Sequence, residues 1–275
     1  MRTIAVINQK GGVGKTTTAV NLGAALAEDG RRVLVIDLDP QAHASLHLGI
    51  ELEPGENSTY DVLGGRCTLA DARRAASENL WVVASSIDLA AIEIELTGTP
   101  DWESILRRKL EEEAEDFDYV IIDCPPSLGL LTINALVAVR EVLLPMQPHF
   151  LALHGLSKLL QTIGLIAARM NPDLRMTGVV FCMYESGTRL AAEVRRDVDA
   201  FFQQARGQNL PWSSARAITA VVRRNIRLAE APSFGRAIFN YAPESNGASD
   251  YRNMATELIA CGPPKAESPT AAAAG

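Results

Sequence analysis

The sequence predicts an α/β domain, a mostly parallel twisted sheet with helices on both faces, and three observations predict it. Short apolar runs recur along the chain, among them Ile4-Ala5-Val6-Ile7, Val33-Leu34-Val35-Ile36 and Val120-Ile121-Ile122, and they alternate with stretches whose apolar residues fall at helical spacing. Two of these runs end in an acid, Asp37 and Asp123, as buried parallel strands do when functional groups gather at their carboxyl ends. A glycine-rich segment stands between the first run and the first helical pattern, at the edge where open sheets of this class bind ligands.

Taken in order, the first strand begins at Thr3, and after the glycine segment Ala19, Val20, Leu22, Ala25 and Leu26 mark a helix that Gly30 stops. Residues 32–37 are the next strand. Residues 41–59 mix Gly49, Pro54, Gly55 and polar side chains and read as a loop-rich excursion with one short helix. Leu80-Trp81-Val82-Val83-Ala84 is a strand and residues 102–115 a charged surface helix, with Glu111-Glu112-Glu113 on its solvated face. Residues 118–123, 141–146 and 176–181 are further strands, and 155–170 and 190–205 further helices. Residues 1–261 are therefore expected to be one domain, and the alanine- and proline-rich stretch 262–275 a disordered tail.

A length of 275 residues, 47% of them hydrophobic and 21% charged, suits one large core of ordinary globular composition. No run reaches the roughly 18 apolar residues of a membrane span and no signal peptide opens the chain, which leads us to expect a cytoplasmic protein. Cys67, Cys124, Cys182 and Cys261 are scattered and form no C-x-x-C pair, so neither a zinc site nor a disulfide framework is indicated.

The glycine segment is Gln9-Lys10-Gly11-Gly12-Val13-Gly14-Lys15-Thr16-Thr17. A turn of this kind between strand and helix lets backbone N–H groups converge on an anion, and the helix N-terminus adds a favourable dipole. Gly11, Gly12, Val13, Gly14 and Thr17 are expected to cradle phosphates, Lys15 to reach the β- and γ-phosphates, and the Thr16 hydroxyl to ligate Mg²⁺. Gln9 stands where the pattern G-x-x-x-x-G-K-[ST] has its first glycine, and a second lysine, Lys10, follows it. Asp118-Tyr119-Val120-Ile121-Ile122-Asp123 has the form of a Walker B strand, which makes Asp123 the second candidate for the metal.

At Lys10-Gly11-Gly12-Val13-Gly14-Lys15-Thr16 the chain resembles the deviant Walker A ATPases, the group of the ParA and MinD proteins. Residues 222–235, with Arg223-Arg224-Asn225-Ile226-Arg227-Leu228, resemble the ParA/Soj partition ATPases more closely than MinD, and the likeness spans about residues 2–260. The resemblance implies that Lys10 crosses a dimer interface to the phosphates of the other subunit. It also implies that Asp39 orients the attacking water, that Asp37 lies close to the Mg²⁺ shell, and that residues 125–134 form a switch responding to the γ-phosphate. It implies ATP and Mg²⁺ as cofactors, an ATP-bound homodimer that coats double-stranded DNA without sequence preference, and a ParB-like or cargo-adaptor protein that stimulates a weak hydrolysis. Chromosome, plasmid or another cargo is thereby moved over the nucleoid. No basic amphipathic helix of the MinD kind closes the sequence, so no membrane partner is expected.

The sequence departs from the family where Arg223 replaces a usual proline, where residues 203–222 run longer than usual, and where Gly187 replaces an arginine that Arg189 can stand in for. The net charge of −7 argues against a DNA partner, yet between Gly187 and Arg227 eight arginines oppose three acids, a local charge of +5. Arg189, Arg223 and Arg227 are the candidate DNA contacts, and Arg224 with Asn225 the candidates for the adenine pocket. Two alternatives stand beside this reading. The arginines could instead pair with Glu193, Asp197, Asp199 and Glu230 as ordinary surface charges, and the scaffold could serve a metabolic enzyme of the dethiobiotin synthetase or cobyrinate amidase type, although such enzymes usually lack the lysine seen here as Lys10.

Overall fold

Residues 1–112, 116–149 and 152–264 are described by a computed structural model, and the expected acid at Glu113 and the tail 265–275 lie outside the described residues. The chain runs β1 (Arg2–Val6), α1 (Lys15–Glu28), β2 (Val33–Asp37), α2 (His43–His47), α3 (Thr59–Leu63), α4 (Leu69–Ala72), β3 (Arg73–Ser77), β4 (Leu80–Val83) and α5 (Leu89–Glu95). It continues through α6 (Ile105–Glu112), β5 (Tyr119–Asp123), α7 (Leu130–Ala138), β6 (Glu141–Met146), α8 (Ala152–Arg169), β7 (Arg175–Tyr184) and α9 (Arg189–Ala205). It closes with β8 (Arg216–Ala217), β9 (Val222–Arg223), α10 (Ile226–Glu230), α11 (Ile238–Tyr241) and α12 (Asn246–Cys261).

The strands form one sheet in the order β3-β4-β2-β5-β1-β6-β7-β8, with β9 beside the far end of β7. Every pairing is parallel except β3 with β4. The alternation inside each strand divides the core. Ile4, Val6, Val33, Val35 and Ile121 face the layer holding α1 and α12, while Ala5, Leu34, Ile36, Val120 and Ile122 face the layer holding α6 to α9. Both faces are thus covered, which is why these strands read as continuous apolar runs.

Tertiary packing moves several boundaries. α1 begins at Lys15, four residues before the apolar periodicity starts at Ala19, because its first turn is polar. β7 extends to Tyr184, well past the run 176–181, because both β6 and β9 pair along it. The antiparallel strand β3 was not legible: Arg-Arg-Ala-Ala-Ser carries no apolar alternation, and it is held by pairing with β4 and by ion pairs of Arg73 with Asp116 and Arg74 with Glu56. The extra length 203–222 supplies Trp212, which packs on Gly164, and the edge strand β8, where the Cβ of any residue at Gly178 would collide with the Arg216 carbonyl. The two ends of the chain are clamped together by Arg2, whose guanidinium donates to Glu141 and to the carbonyls of Leu258 and Gly262.

His47 at the end of α2 is 1% exposed and its Nε2 has no partner among the described residues. Burial pushes its pKa down to about 4. The unfolded chain binds a proton between that value and the ordinary 6.5, so this group's stabilising contribution is complete above pH 6.5 and is lost on acidification through pH 4, a span of about 3 kcal/mol. In urea titrations from pH 7 to 4.5, His47→Leu is expected to lose less stability than wild type by about 1–3 kcal/mol. Parallel curves for the two proteins would refute the assignment.

Candidate functional site

Residues 7–14 join β1 to α1 and turn sharply at Gly12 (φ 72°) and Gly14 (φ 94°), left-handed conformations that only glycine adopts without strain. Gly14 rests on Cys182 of β7, where an added Cβ would come within 3.4 Å of the thiol sulfur. The first helical hydrogen bond of α1 runs from Thr18 N–H to the Gly14 carbonyl, 2.9 Å, so the N–H groups of Lys15, Thr16 and Thr17 have no acceptor within the helix. No side chain caps this end and no acid stands in the first turn. It is an open, electropositive terminus.

Lys15 is buried, and its Nζ folds back over the loop to the Lys10 carbonyl at 3.4 Å. Asp123 ends β5 in register with Val6 of β1 on one side and Asp37 of β2 on the other. Both Asp123 carboxylate oxygens are buried without a hydrogen-bond partner. Burial raises the pKa of this carboxyl well above the usual range and the nearby Asp37 raises it further, while Thr16 and Lys15 pull it down, Thr16 without completing a hydrogen bond to either oxygen. An unpaired buried carboxylate is costly, and a divalent cation bound between Asp123 and the Thr16 hydroxyl would remove that cost. The residues present fit Mg²⁺.

Asp37 differs from its neighbour although it is equally buried. Its Oδ2 accepts from the Ser45 N–H at 2.8 Å and the Ser45 hydroxyl at 2.7 Å, and its Oδ1 accepts from the Asp39 N–H at 3.1 Å. Burial still raises its pKa to about 6 against these bonds. Its carboxylate is committed to shaping residues 38–45. Ser45 Oγ in turn accepts from the Ser85 N–H, 3.0 Å, joining this loop to the end of β4. Asp39 is itself 8% exposed, and its Oδ1 accepts from the Gln41 N–H at 3.0 Å.

Lys10 is exposed; its N–H donates to Asn8 Oδ1 and its Nζ lies 3.0 Å from His149 Nε2. Burial and the Lys10 charge lower the His149 pKa, which keeps the imidazole neutral and able to accept. Arg224 and Asn225 line a cavity of about 470 Å³ together with Gly14, Thr17, Met183, Val222 and Tyr251. Arg224 donates to Glu185 at 3.0 Å, and Asn225 caps α10 by accepting from the Arg227 N–H at 2.8 Å. Met183, Val222 and Tyr251 were invisible to sequence reasoning, because they meet only when β9 pairs with β7 and α12 packs on α1.

The arginines have separate environments. Arg189 is exposed at the start of α9, whose N-cap is Thr188. Arg227 pairs with Glu230 at 2.8 Å, and Glu230 also accepts from the Tyr241 hydroxyl. Arg223 is committed to Asp250, a nearly buried acid that it grips at 2.6 Å through its side chain and at 2.9 Å through its N–H. Arg223→Ala should leave that carboxylate with the bond from the residue 223 N–H but without its cation, and lower stability by about 1–3 kcal/mol. An unchanged melting temperature would show the pair to be dispensable.

The strand, loop and open helix, with a buried acid at the end of the adjacent strand, define a P-loop nucleotide-binding ATPase of the deviant Walker A class. Comparison with known proteins agrees. A family profile described as an AAA domain, AAA_31, matches residues 1–176. The sporulation initiation inhibitor protein Soj of Bacillus subtilis is 46% identical over 260 residues, covering 94% of this chain and 98% of that protein. The chromosome partitioning protein ParA of Caulobacter vibrioides is 42% identical over 262 residues, covering 94% of each. Among solved structures, cobyrinic acid a,c-diamide synthase from Mycobacterium smegmatis, with bound ATP analog and magnesium, superposes with a TM-score of 0.78 at 36% identity, covering 93% of each chain. The chain belongs to the ParA/Soj family of partition ATPases.

Proposed function

We propose that this chain partitions DNA or another cargo by binding and hydrolysing Mg·ATP. The observation that carries the reading is the pair of unpartnered Asp123 oxygens beside Lys15 and Thr16 at an uncapped helix end. Lys15 and the N–H groups of residues 11–17 hold the phosphates, Thr16 and Asp123 hold Mg²⁺, and the cavity beneath Arg224 and Asn225 takes the adenine. The metal supplies charge neutralisation of the phosphates when bound. Asp37 supports the site by fixing the loop that carries Asp39, and Asp39 holds the attacking water.

Lys10 reaches outward from the loop, so it is free to serve the phosphates of a second subunit once it leaves His149. The ATP-bound homodimer then joins two modest basic surfaces, each with Arg189 and Arg227, into one. Each neutralised phosphate adds to the salt dependence with a slope of about −0.9, so doubling the contacts converts negligible into useful, sequence-independent binding. A ParB-like or cargo-adaptor protein stimulates hydrolysis and ends the cycle. The chain acts in the cytoplasm on the nucleoid; among the described residues no helix is long and apolar enough to cross a membrane.

Mobility shifts on unrelated duplexes should require ATP, ignore sequence, weaken steeply with salt, and drop in Arg227→Glu while ATP-dependent dimerisation persists. Equal binding without nucleotide, or undiminished binding by the variant, would count against this surface. The 36% likeness to a cobyrinic acid a,c-diamide synthase favours a second reading as an amide-forming synthase on the same scaffold. Against it, the partition relatives are more similar, at 46% and 42% identity over 94% of the chain.

A further inference from the structure

The phosphate loop is tied to the segment that follows β6. Asn8 donates through its side-chain amide to the Pro145 carbonyl, 2.7 Å, and accepts from the Lys10 N–H at 3.0 Å. Gln147 Nε2 donates to the Gly12 carbonyl at 3.4 Å and to Met183 Sδ. Lys10 Nζ completes the set at His149 Nε2, 3.0 Å away. The backbone of Lys10 is thus anchored through Asn8, and its exposed side chain can swing while the loop keeps its shape.

The contact between Lys10 and His149 exists in one protonation state only. An ammonium group donates and never accepts, so Nε2 accepts here and carries no proton. A protonated ring would set two cations face to face with no acceptor between them. Burial and the Lys10 charge accordingly hold the ring neutral. Of the described residues that surround the half-buried imidazole, from residues 8–13 of the loop, the end of β6 and the start of α8, Lys10 alone is charged or titratable.

We infer that His149 is a positioning residue: its neutral ring holds Lys10 on its own subunit, and a proton on that ring releases the lysine for the phosphates of a second ATP-bound copy. This inference rests on the role proposed above for Lys10. Departure of Lys10 removes the charge that opposes protonation, so the two events favour each other. Acid therefore favours the dimer through His149 as pH falls through the ordinary histidine value of 6.5, and this contribution is absent above about pH 7.5.

The test follows ATP-dependent dimerisation of the full chain with Mg·ATP, by analytical ultracentrifugation, from about pH 8 to about pH 6. At the alkaline end His149→Ala should dimerise about three- to tenfold more tightly than wild type, because nothing holds Lys10 back. Damage to the fold would weaken the dimer instead. His149→Gln keeps an oxygen that accepts from an ammonium but does not titrate, so it should match wild type at the alkaline end and fall about threefold or more behind it at the acid end. Asp37, with a pKa of about 6, and Asp123 titrate as well, and both are intact in His149→Gln, so the difference between that variant and wild type isolates the histidine. His149→Ala no tighter than wild type in alkali, or parallel profiles for wild type and His149→Gln, overturns the proposal. If Lys10→Ala stays monomeric while every His149 variant follows wild type, the role of Lys10 stands and that of His149 falls. Lys10→Ala that dimerises like wild type removes both.

Discussion

Lys15→Ala is expected to abolish Mg·ATP binding. Lys15 is buried and folded over the loop, and it is the one lysine positioned inside the phosphate cradle, since Lys10 points outward to His149. A charge-assisted contact in a site from which water is excluded contributes several kcal/mol, and losing about 3–4 kcal/mol weakens binding by several hundredfold. Alanine also leaves Asp123 without the Lys15 charge that lowers its pKa, so the apo protein gains nothing that offsets the loss. Titration with a fluorescent ATP analogue reads the effect directly. Affinity equal to wild type would remove the phosphate-cradle assignment.

Asp39→Ala should do the reverse, keeping nucleotide while stopping its hydrolysis. The Asp39 carboxylate makes one bond to its own loop, from the Gln41 N–H, while Asp37 holds the rest through Ser45 and the Asp39 N–H, and a backbone N–H survives substitution by alanine. The variant should therefore fold and bind ATP, lose hydrolysis by about 100-fold or more, and accumulate as a long-lived dimer. Lys10→Ala gives the opposite separation, bound ATP without a dimer. Size-exclusion chromatography with ATP decides, and a monomeric Asp39→Ala beside a dimeric Lys10→Ala would exchange the two roles.

The phosphate half of the site was legible because it is local in sequence. A glycine loop must lie between its strand and its helix, and the acids at 37 and 123 end apolar runs whose parallel pairing places them together. The difference between those acids was not legible. Asp37 is saturated by Ser45, eight positions away in a loop without regular pattern, and Asp123 is bare. Arg223 reads from the sequence as a DNA contact, and its grip on Asp250 of α12 was not legible because a pairing between residues so far apart leaves no trace in one sequence. Of the cavity proposed for the base, Arg224 and Asn225 were legible and the opposite walls were not. Those walls are ordinary apolar residues, and only the tertiary arrangement gathers them.

The two halves of the nucleotide site come from opposite ends of the polypeptide, which orders their appearance during synthesis. Once β5 has left the ribosome, β1, the loop and Asp123 can assemble, and the phosphate contacts exist. The cavity proposed for the base does not close until β9 has paired with β7 and Tyr251 has arrived on α12, with Arg2 clamping the returning helix at Leu258. On the proposed placement of the base, a nascent chain would hold nucleotide tightly only once its last helix is in place.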